Sequence, residues 1–380
     1  MAKEKQRFMY IDLLRGWAVI VMVEVHVVNG FLLPGMRAEG WFEVLNFING
    51  LVAPSFLFIS GYSFTLIAQR KWHDYLSLNS VFSRQIMRIL QVLIVGYALH
   101  FPVFSFAKAV HLDSSGWNVF WNVDVLHTIA SSLFVLLMLV LVMRNPRRFF
   151  YAVVVLALTM IFTSPLVYDT NVDAFLPLPL ANYVSAYHHS QFPLFPWMGF
   201  VLCGSIVSQA VVWSREQRSE RSVFRTLLSA GFLVLVFSTV SVLTSFSLYP
   251  VENYWRSSPA FFFIRLGIVV MLLSLLWFWE QRFRSKQSLV SIVGSESLVA
   301  YAGHLLVIYG MFFNNHSLSF LIGRTRTAEE AAVMSLMLIA FTIAVSYCWH
   351  RIKNWSMFYA RVLQYSILVV VLYIFFTKPL

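Results

Sequence analysis

Apolar segments recur along the whole chain, separated by short polar or proline-containing stretches. Each is near the ~20 residues that an α-helix needs to cross a hydrocarbon core of about 30 Å. Lipid offers the backbone no hydrogen-bond partner, so spans of this length must be helical. The pattern predicts an all-α, polytopic membrane helix bundle that forms one domain over residues 1–380. The eleven expected spans are 11–33, 45–68, 86–107, 122–143, 149–166, 192–213, 226–246, 258–280, 296–313, 330–350 and 357–377.

Composition agrees with a lipid-facing surface. Hydrophobic residues make up 59% of the chain and charged residues only 12%, whereas a soluble domain usually carries about 25% charged residues. Cys203 and Cys348 fit neither a disulfide framework nor a metal-binding pattern, so we expect no metal. The basic start of the chain precedes a hydrophobic run that contains Asp12 and Arg15, which we interpret as an uncleaved first span.

The net charge of +11 could suggest a nucleic-acid partner, but the placement of the charges argues for membrane topology. Positive residues accumulate on the cytoplasmic side of membrane proteins, so we expect a cytoplasmic N-terminus and no nucleic-acid partner. One set of helix ends holds Lys3, Lys5, Arg7, Arg70, Lys71, Arg84, Arg88, Arg144, Arg147, Arg148, Arg215, Arg218, Arg221, Arg225, Arg282, Arg284, Lys286, Arg351 and Lys353. The opposite set holds only Arg37, Lys108, Arg256, Arg324, Arg326 and Lys378, beside the acidic Glu39, Glu43, Asp113, Asp169, Asp173 and Glu252.

The first span contains four ionisable residues, Asp12, Arg15, Glu24 and His26. Such residues are costly inside a membrane and usually mark function. Arg15 and His26 differ by about 20° in azimuth and about 16 Å in depth on a helix, so they share one face, while Glu24 points nearly opposite. Asp12 can pair with Arg15 at i, i+3. Alternatively, Arg15 reaches the lipid headgroups and His26 is a core histidine with a satisfied ring.

This arrangement suits a long anionic donor. A cytoplasmic arginine can hold phosphates, and a mid-membrane imidazole such as His26 can act as a general base. Coenzyme A has a phosphorylated head and a thin arm ending in a thioester, so it could be anchored at Arg15 and react at His26. Arg84 and Arg88, one turn apart at the start of the third span, are either a second phosphate contact or positive-inside anchors.

Other polar residues are candidates for the acceptor side. Asp124 and His127 are three residues apart, so they could relay a proton, bind a hydroxylated acceptor or form an interfacial hydrogen bond. Tyr301 and His304 have the same spacing in the ninth span. The outer loop at about 167–191 is long enough to suggest a functional role.

Several segments resemble the transmembrane acyltransferase superfamily. Ile11–Gly16 with Met22, Val23 and His26 resembles the first helix of its acyltransferase-3 branch, Phe56–Ser63 its second-helix element, and Arg84–Leu90 the basic start of its third helix. Val125–Ile129 and Phe195–Gly204 are most similar to bacterial relatives of heparan-α-glucosaminide N-acetyltransferase, and Tyr301–His304 is similar to late helices of these proteins. The lysosomal branch has an asparagine at the position of His26 and its key histidine in a lumenal loop.

The resemblance implies a bacterial inner-membrane enzyme that moves an acyl group, most simply acetyl, from cytoplasmic acetyl-CoA or another acyl-CoA to an extracytoplasmic glycan or amino sugar. We expect His26 to be the base. The catalytic candidates are His26, His304, Asp124 and His127, and the donor-binding candidates are Arg15, Asp12, Arg84, Arg88, Ser60 and Tyr62.

Two other functions fit parts of the sequence. A transporter or flippase could use the intramembrane charges as a proton relay, although the chain has no clear repeat of the kind common in transporters. A haem carrier would need paired histidines, but those of the spans lie at unlike depths. The apolar faces could also pair two copies into a homodimer.

Overall fold

The computed structural model describes residues 8–215, 219–244, 249, 253–283, 287–310 and 316–379. Within these residues the secondary structure is helical, with one isolated parallel bridge between Leu32 and Arg326. The helices are α1 (Met9–Phe31), α2 (Gly40–Asn49), α3 (Val52–Arg70), α4 (Trp72–Leu76), α5 (Ser80–Leu99), α6 (Phe106–Val110), α7 (Val125–Met143), α8 (Pro146–Phe162), α9 (Ser164–Val167), α10 (Leu178–Val184), α11 (Leu194–Arg215), α12 (Glu220–Leu243), α13 (Pro259–Phe283), α14 (Leu289–Ser295), α15 (Ser297–Tyr309), α16 (Leu318–Ile322), α17 (Ala328–Trp355) and α18 (Met357–Thr377). The all-α class is confirmed.

Among the described residues, eight helical segments are long and apolar enough to cross a membrane, or nine if the bent pair α14–α15 forms one span. The chain is therefore an integral membrane protein. The count of eleven spans and the cytoplasmic N-terminus stay predictions. The ends of the predicted spans 226–246 and 296–313 lie outside the described residues, as do Lys3, Lys5, Arg7, Arg218, Glu252, Arg284 and Lys286.

Proline accounts for two differences between the predicted spans and the helices. The span expected at 86–107 ends earlier, at Leu99 of α5, because Pro102 disfavours helix at the residue before it and has no N–H to donate. The span expected at 149–166 is divided near Pro165 into α8 and the short α9. The last span, 357–377, coincides with α18.

The chain divides into two compact units, of which the first comprises 1–52, 98–120 and 285–380. In this unit α1 packs against α14, α15 and α17. Two glycines let α1 and α14 approach closely, because a Cβ on Gly16 would lie 2.0 Å from the carbonyl oxygen of Val290 and one on Gly294 would lie 1.9 Å from that of Asp12. Small residues at such crossings are typical of membrane helix packing.

The second unit comprises 53–97 and 121–284. Glycines again mark its helix crossings: a Cβ on Gly61 of α3 would lie 1.8 Å from the Val201 carbonyl oxygen of α11, and one on Gly267 of α13 would lie 2.7 Å from that of Gly231 in α12. This unit carries the Asp124–His127 pair and the large outer loop, whereas the first unit carries all the ionisable residues of α1.

Candidate functional site

At the start of α1, Asp12 and Arg15 form the ion pair that their spacing predicts, with Nη1 and Oδ1 3.8 Å apart. The Arg15 side chain is 21% exposed and that of Asp12 is 12% exposed. The carbonyl oxygen of Asp12 lies against Gly294 of α14, so the backbone beneath the pair is fixed by a close helix crossing. The pair is thus held at the edge of a packed helix interface.

Further along α1, His26 lies beside two residues of α15. Its ring centroid is 5.3 Å from that of His304 and 5.9 Å from that of Tyr309. The Tyr309 hydroxyl donates to the His26 carbonyl oxygen over 3.4 Å. Sequence reasoning selected both histidines separately but missed Tyr309, whose only sequence signal is its position within the same predicted span as His304.

The tautomer of His304 follows from its hydrogen bond. Its Nδ1 lies 2.7 Å from the carbonyl oxygen of Ala300. A carbonyl oxygen only accepts, so Nδ1 carries the proton and the lone pair of the neutral ring is on Nε2. That Nε2 is buried and has no hydrogen-bond partner among the described residues, and the residue is 1% exposed. Buried polar atoms without a partner are uncommon, so this nitrogen is a candidate for contact with a bound molecule.

Neighbouring residues complete the surroundings of the histidine pair. The ring of Tyr301 meets that of His304 edge-on at 5.8 Å. Glu24 hydrogen-bonds to Asn49 of α2, which agrees with its predicted position away from His26.

In the second unit, Asp124 and His127 form a buried pair at the start of α7. His127 Nδ1 lies 2.6 Å from Asp124 Oδ1, and the two residues are 0% and 4% exposed, respectively. Asp124 also caps α7, since its carboxylate accepts from the backbone N–H groups of Leu126 and His127. The expected i, i+3 contact therefore exists, and the helix cap fixes its geometry.

Two tyrosines surround this pair. The ring of Tyr97 meets that of His127 edge-on at 4.3 Å, and the Tyr97 and Tyr183 hydroxyls are 3.1 Å apart. Gly96 makes room, because a Cβ there would lie 3.1 Å from the His127 ring. Burial, together with the hydrogen bond to Tyr97, raises the pKa of Tyr183, so its phenol stays protonated and can donate.

The large outer loop holds the segment that precedes α7. The backbone N–H of Val123 donates to Ser190 Oγ over 3.2 Å, and the Val123 carbonyl oxygen accepts from the Phe192 N–H over 3.0 Å. The amide of Asn182 donates to the Trp121 carbonyl oxygen over 3.0 Å. These hydrogen bonds connect the loop to the residues just before the Asp124–His127 pair.

The remaining donor-binding candidates have local contacts. Ser60 donates to the Phe56 carbonyl oxygen of its own helix over 2.7 Å, and Tyr62 is fully buried. Arg84 donates to Ser80 over 3.2 Å. Arg84 and Arg88 are both exposed at the start of α5. Within the Phe56–Ser63 element, Gly61 has a structural explanation, because it packs too closely against α11 to leave room for a side chain.

A family model described as heparan-alpha-glucosaminide N-acetyltransferase, catalytic, matches residues 7–242. The match covers more than half of the 380 residues and contains all the candidates except Tyr301, His304 and Tyr309. A search of curated proteins finds no match. Because this match spans more than half of the chain, the chain belongs to the heparan-alpha-glucosaminide N-acetyltransferase catalytic family, an acetyltransferase-type family of membrane enzymes.

Proposed function

We propose that the chain transfers an acyl group, most simply acetyl, from cytoplasmic acyl-CoA to a hydroxyl or amine of an extracytoplasmic glycan or amino sugar, in a bacterial inner membrane. The observation that carries this proposal is the contact of His26 with His304 of α15, whose ring centroids are 5.3 Å apart, because His26 lies on the same helix α1 as the Asp12–Arg15 pair. Family membership supports acetyl transfer. The donor, the acceptor and the direction of transfer are the parts that we propose.

Donor binding uses the charge at the start of α1. The Arg15 guanidinium presents N–H donors in a planar fork suited to phosphate, and its ion pair with Asp12 orients it. Eleven residues of helix place His26 about 16 Å from Arg15 along the axis, within reach of the thioester arm of coenzyme A. Arg84 and Arg88 remain candidates for further phosphate contacts.

The histidine pair supplies the proton chemistry. The lone pair on His304 Nε2 accepts the proton of the acceptor hydroxyl or amine, and the acceptor attacks the thioester carbonyl carbon. The carbon–sulfur bond breaks, and the proton passes from His304 to the departing thiolate, which leaves as free coenzyme A. Either ring could serve as the base. The tautomer of His304 favours that residue, with His26 orienting the reacting groups.

The Asp124–His127 pair is our second catalytic candidate. A buried carboxylate against Nδ1 fixes the orientation of an imidazole, as in other acid–base sites. The protonated phenol of Tyr183, whose ring centroid lies 6.5 Å from that of His127, can donate a hydrogen bond to a bound substrate, and the Asp124–His127 pair can accept one. We assign it to binding or orienting the acceptor.

The test is acyl transfer by detergent-purified protein, followed as release of free thiol from acetyl-CoA with amino-sugar acceptors. We expect His304→Ala and His26→Ala to lower turnover by about 10²-fold or more, and Arg15→Ala to weaken acetyl-CoA binding. His111→Ala is the matched control, because His111 makes the same own-helix bond, to Ala107 over 2.8 Å, but is exposed. Folded wild-type protein that neither binds acetyl-CoA nor releases thiol would refute the proposal.

One observation favours a transporter as a second candidate. The helices α14 and α15 meet at an 88° bend, and discontinuous helices often form transporter binding sites. Such a protein would move its substrate unchanged and without acyl-CoA. Substrate uptake into vesicles that needs no acyl-CoA would support this alternative over acyl transfer.

A further inference from the structure

A buried charged cluster lies at the bend between α14 and α15. Glu296 is the residue between the two helices and its side chain is 5% exposed. Both of its carboxylate oxygens lie 2.7 Å from Nζ of Lys353, and Oε1 lies 3.0 Å from Nδ1 of His350. The Nε2 of His350 accepts from the Asn354 side-chain amide over 2.8 Å. The carboxylate is thus bound by two residues of α17.

This cluster lies where backbone hydrogen bonds do not fix the direction of the next helix. A continuous helix sets the direction of its next turn through its i to i−4 hydrogen bonds, but at an 88° bend that series is interrupted. Side-chain contacts must then fix the direction of α15. Glu296 directly precedes α15, and its side chain connects the start of that helix to the last turns of α17. The preceding helix, α14, packs closely against α1 at Gly16 and Gly294.

The direction of α15 matters because of what it carries. His304 lies eight residues after Glu296, about 12 Å along the helix, and its ring is 5.3 Å from that of His26. A rotation of α15 by about 5° at the bend would displace His304 by about 1 Å, given the distance of about 12 Å. Misplacement by about 1 Å can lower an enzymatic rate by about 10²-fold.

We propose that Glu296, held by Lys353 and His350, is the positioning residue that sets α15 so that His304 faces His26. The role of His304 rests on the proposed acyl transfer, but the position of α15 can be measured without it. The contacts of Glu296 with Lys353 and His350 lie about 12 Å along α15 from His304, so we expect their effect on the reaction to be transmitted through α15.

The first experiment measures position alone. A Cβ on Gly30 would lie 3.7 Å from the Ile308 side chain, and residues 30 and 308 lie one turn beyond His26 and His304. Gly30→Cys with Ile308→Cys, in a Cys203→Ser/Cys348→Ser background, should therefore form a disulfide under mild oxidation. We expect Glu296→Gln to slow this cross-linking about tenfold. Arg351→Met, an exposed cation in the same turn region of α17, should leave the rate unchanged.

The second experiment measures catalysis by the chain without the reporter cysteines. Glu296→Gln should lower kcat about tenfold or more without changing KM for acetyl-CoA, and Glu296→Asp should recover part of the loss. A purely structural role would lower the melting temperature without changing kcat of the folded fraction. If Glu296→Gln does not fold, the charge-balanced variant Glu296→Gln/Lys353→Met replaces it.

The outcomes separate the two proposals. Fast cross-linking in folded Glu296→Gln, or no cross-linking in the parent reporter, overturns the positioning role. If wild-type protein shows no acyl transfer but cross-linking depends on Glu296, the positioning role stands and the proposed reaction fails.

Discussion

Replacing Lys353 by Met should destabilise the protein more than replacing its partner Glu296 by Gln. The reason is the unequal exposure of the pair, 35% for the Lys353 side chain and 5% for that of Glu296. Without Glu296, the ammonium can reach water. Without Lys353, the carboxylate stays buried with His350 as its remaining partner among the described residues.

The size of the effect follows from this difference. Removing one partner of a buried ion pair typically costs about 3–5 kcal/mol. His350 retains its bond to Oε1 over 3.0 Å, so we expect about 3 kcal/mol for Lys353→Met. A surface-like cost of about 1 kcal/mol is expected for Glu296→Gln. The double variant Glu296→Gln/Lys353→Met removes both charges, so it should lose less than Lys353→Met alone.

The assay is unfolding of purified protein in one detergent by denaturant or heat, with Arg351→Met as the control for loss of an exposed cation near the end of α17. A stability of the double variant equal to that of Lys353→Met would refute the reasoning, because the loss would then not arise from an unpaired carboxylate. A larger loss for Glu296→Gln than for Lys353→Met would also refute it.

Two further predictions concern the second unit. Gly61→Ala should lower the free energy of unfolding by about 1–3 kcal/mol, because the new Cβ would lie 1.8 Å from the Val201 carbonyl oxygen. Gly303→Ala is the control and should leave the melting temperature nearly unchanged, because a Cβ there would have nothing within 4 Å. Equal melting temperatures of the two variants would contradict the close crossing. Asp124→Asn should lower turnover, because His127 loses its charged partner, but it should keep the helix cap, since Asn caps as well as Asp. A lowered melting temperature with unchanged turnover of the folded protein would point to a structural role alone.

Local sequence patterns anticipated the features that depend on neighbouring residues. The α18 segment coincides with its predicted span because only hydropathy and length define it. The contacts between Asp12 and Arg15, and between Asp124 and His127, follow from i, i+3 geometry on a single helix. The end of α5 at Leu99 also depends on a nearby residue, because Pro102 disfavours helix at the residue before it.

The sequence by itself determined that the chain is an all-α membrane protein and which polar residues its helices carry, because burial in lipid and helical periodicity act on segments of about 20 residues. Only the tertiary structure decided that α15 bends away from α14, that Glu296 meets Lys353, and that Tyr309 meets His26 across 283 residues. Apolar helix faces look alike to a hydropathy pattern, and the faces that meet are selected by close packing at small residues and by buried polar contacts.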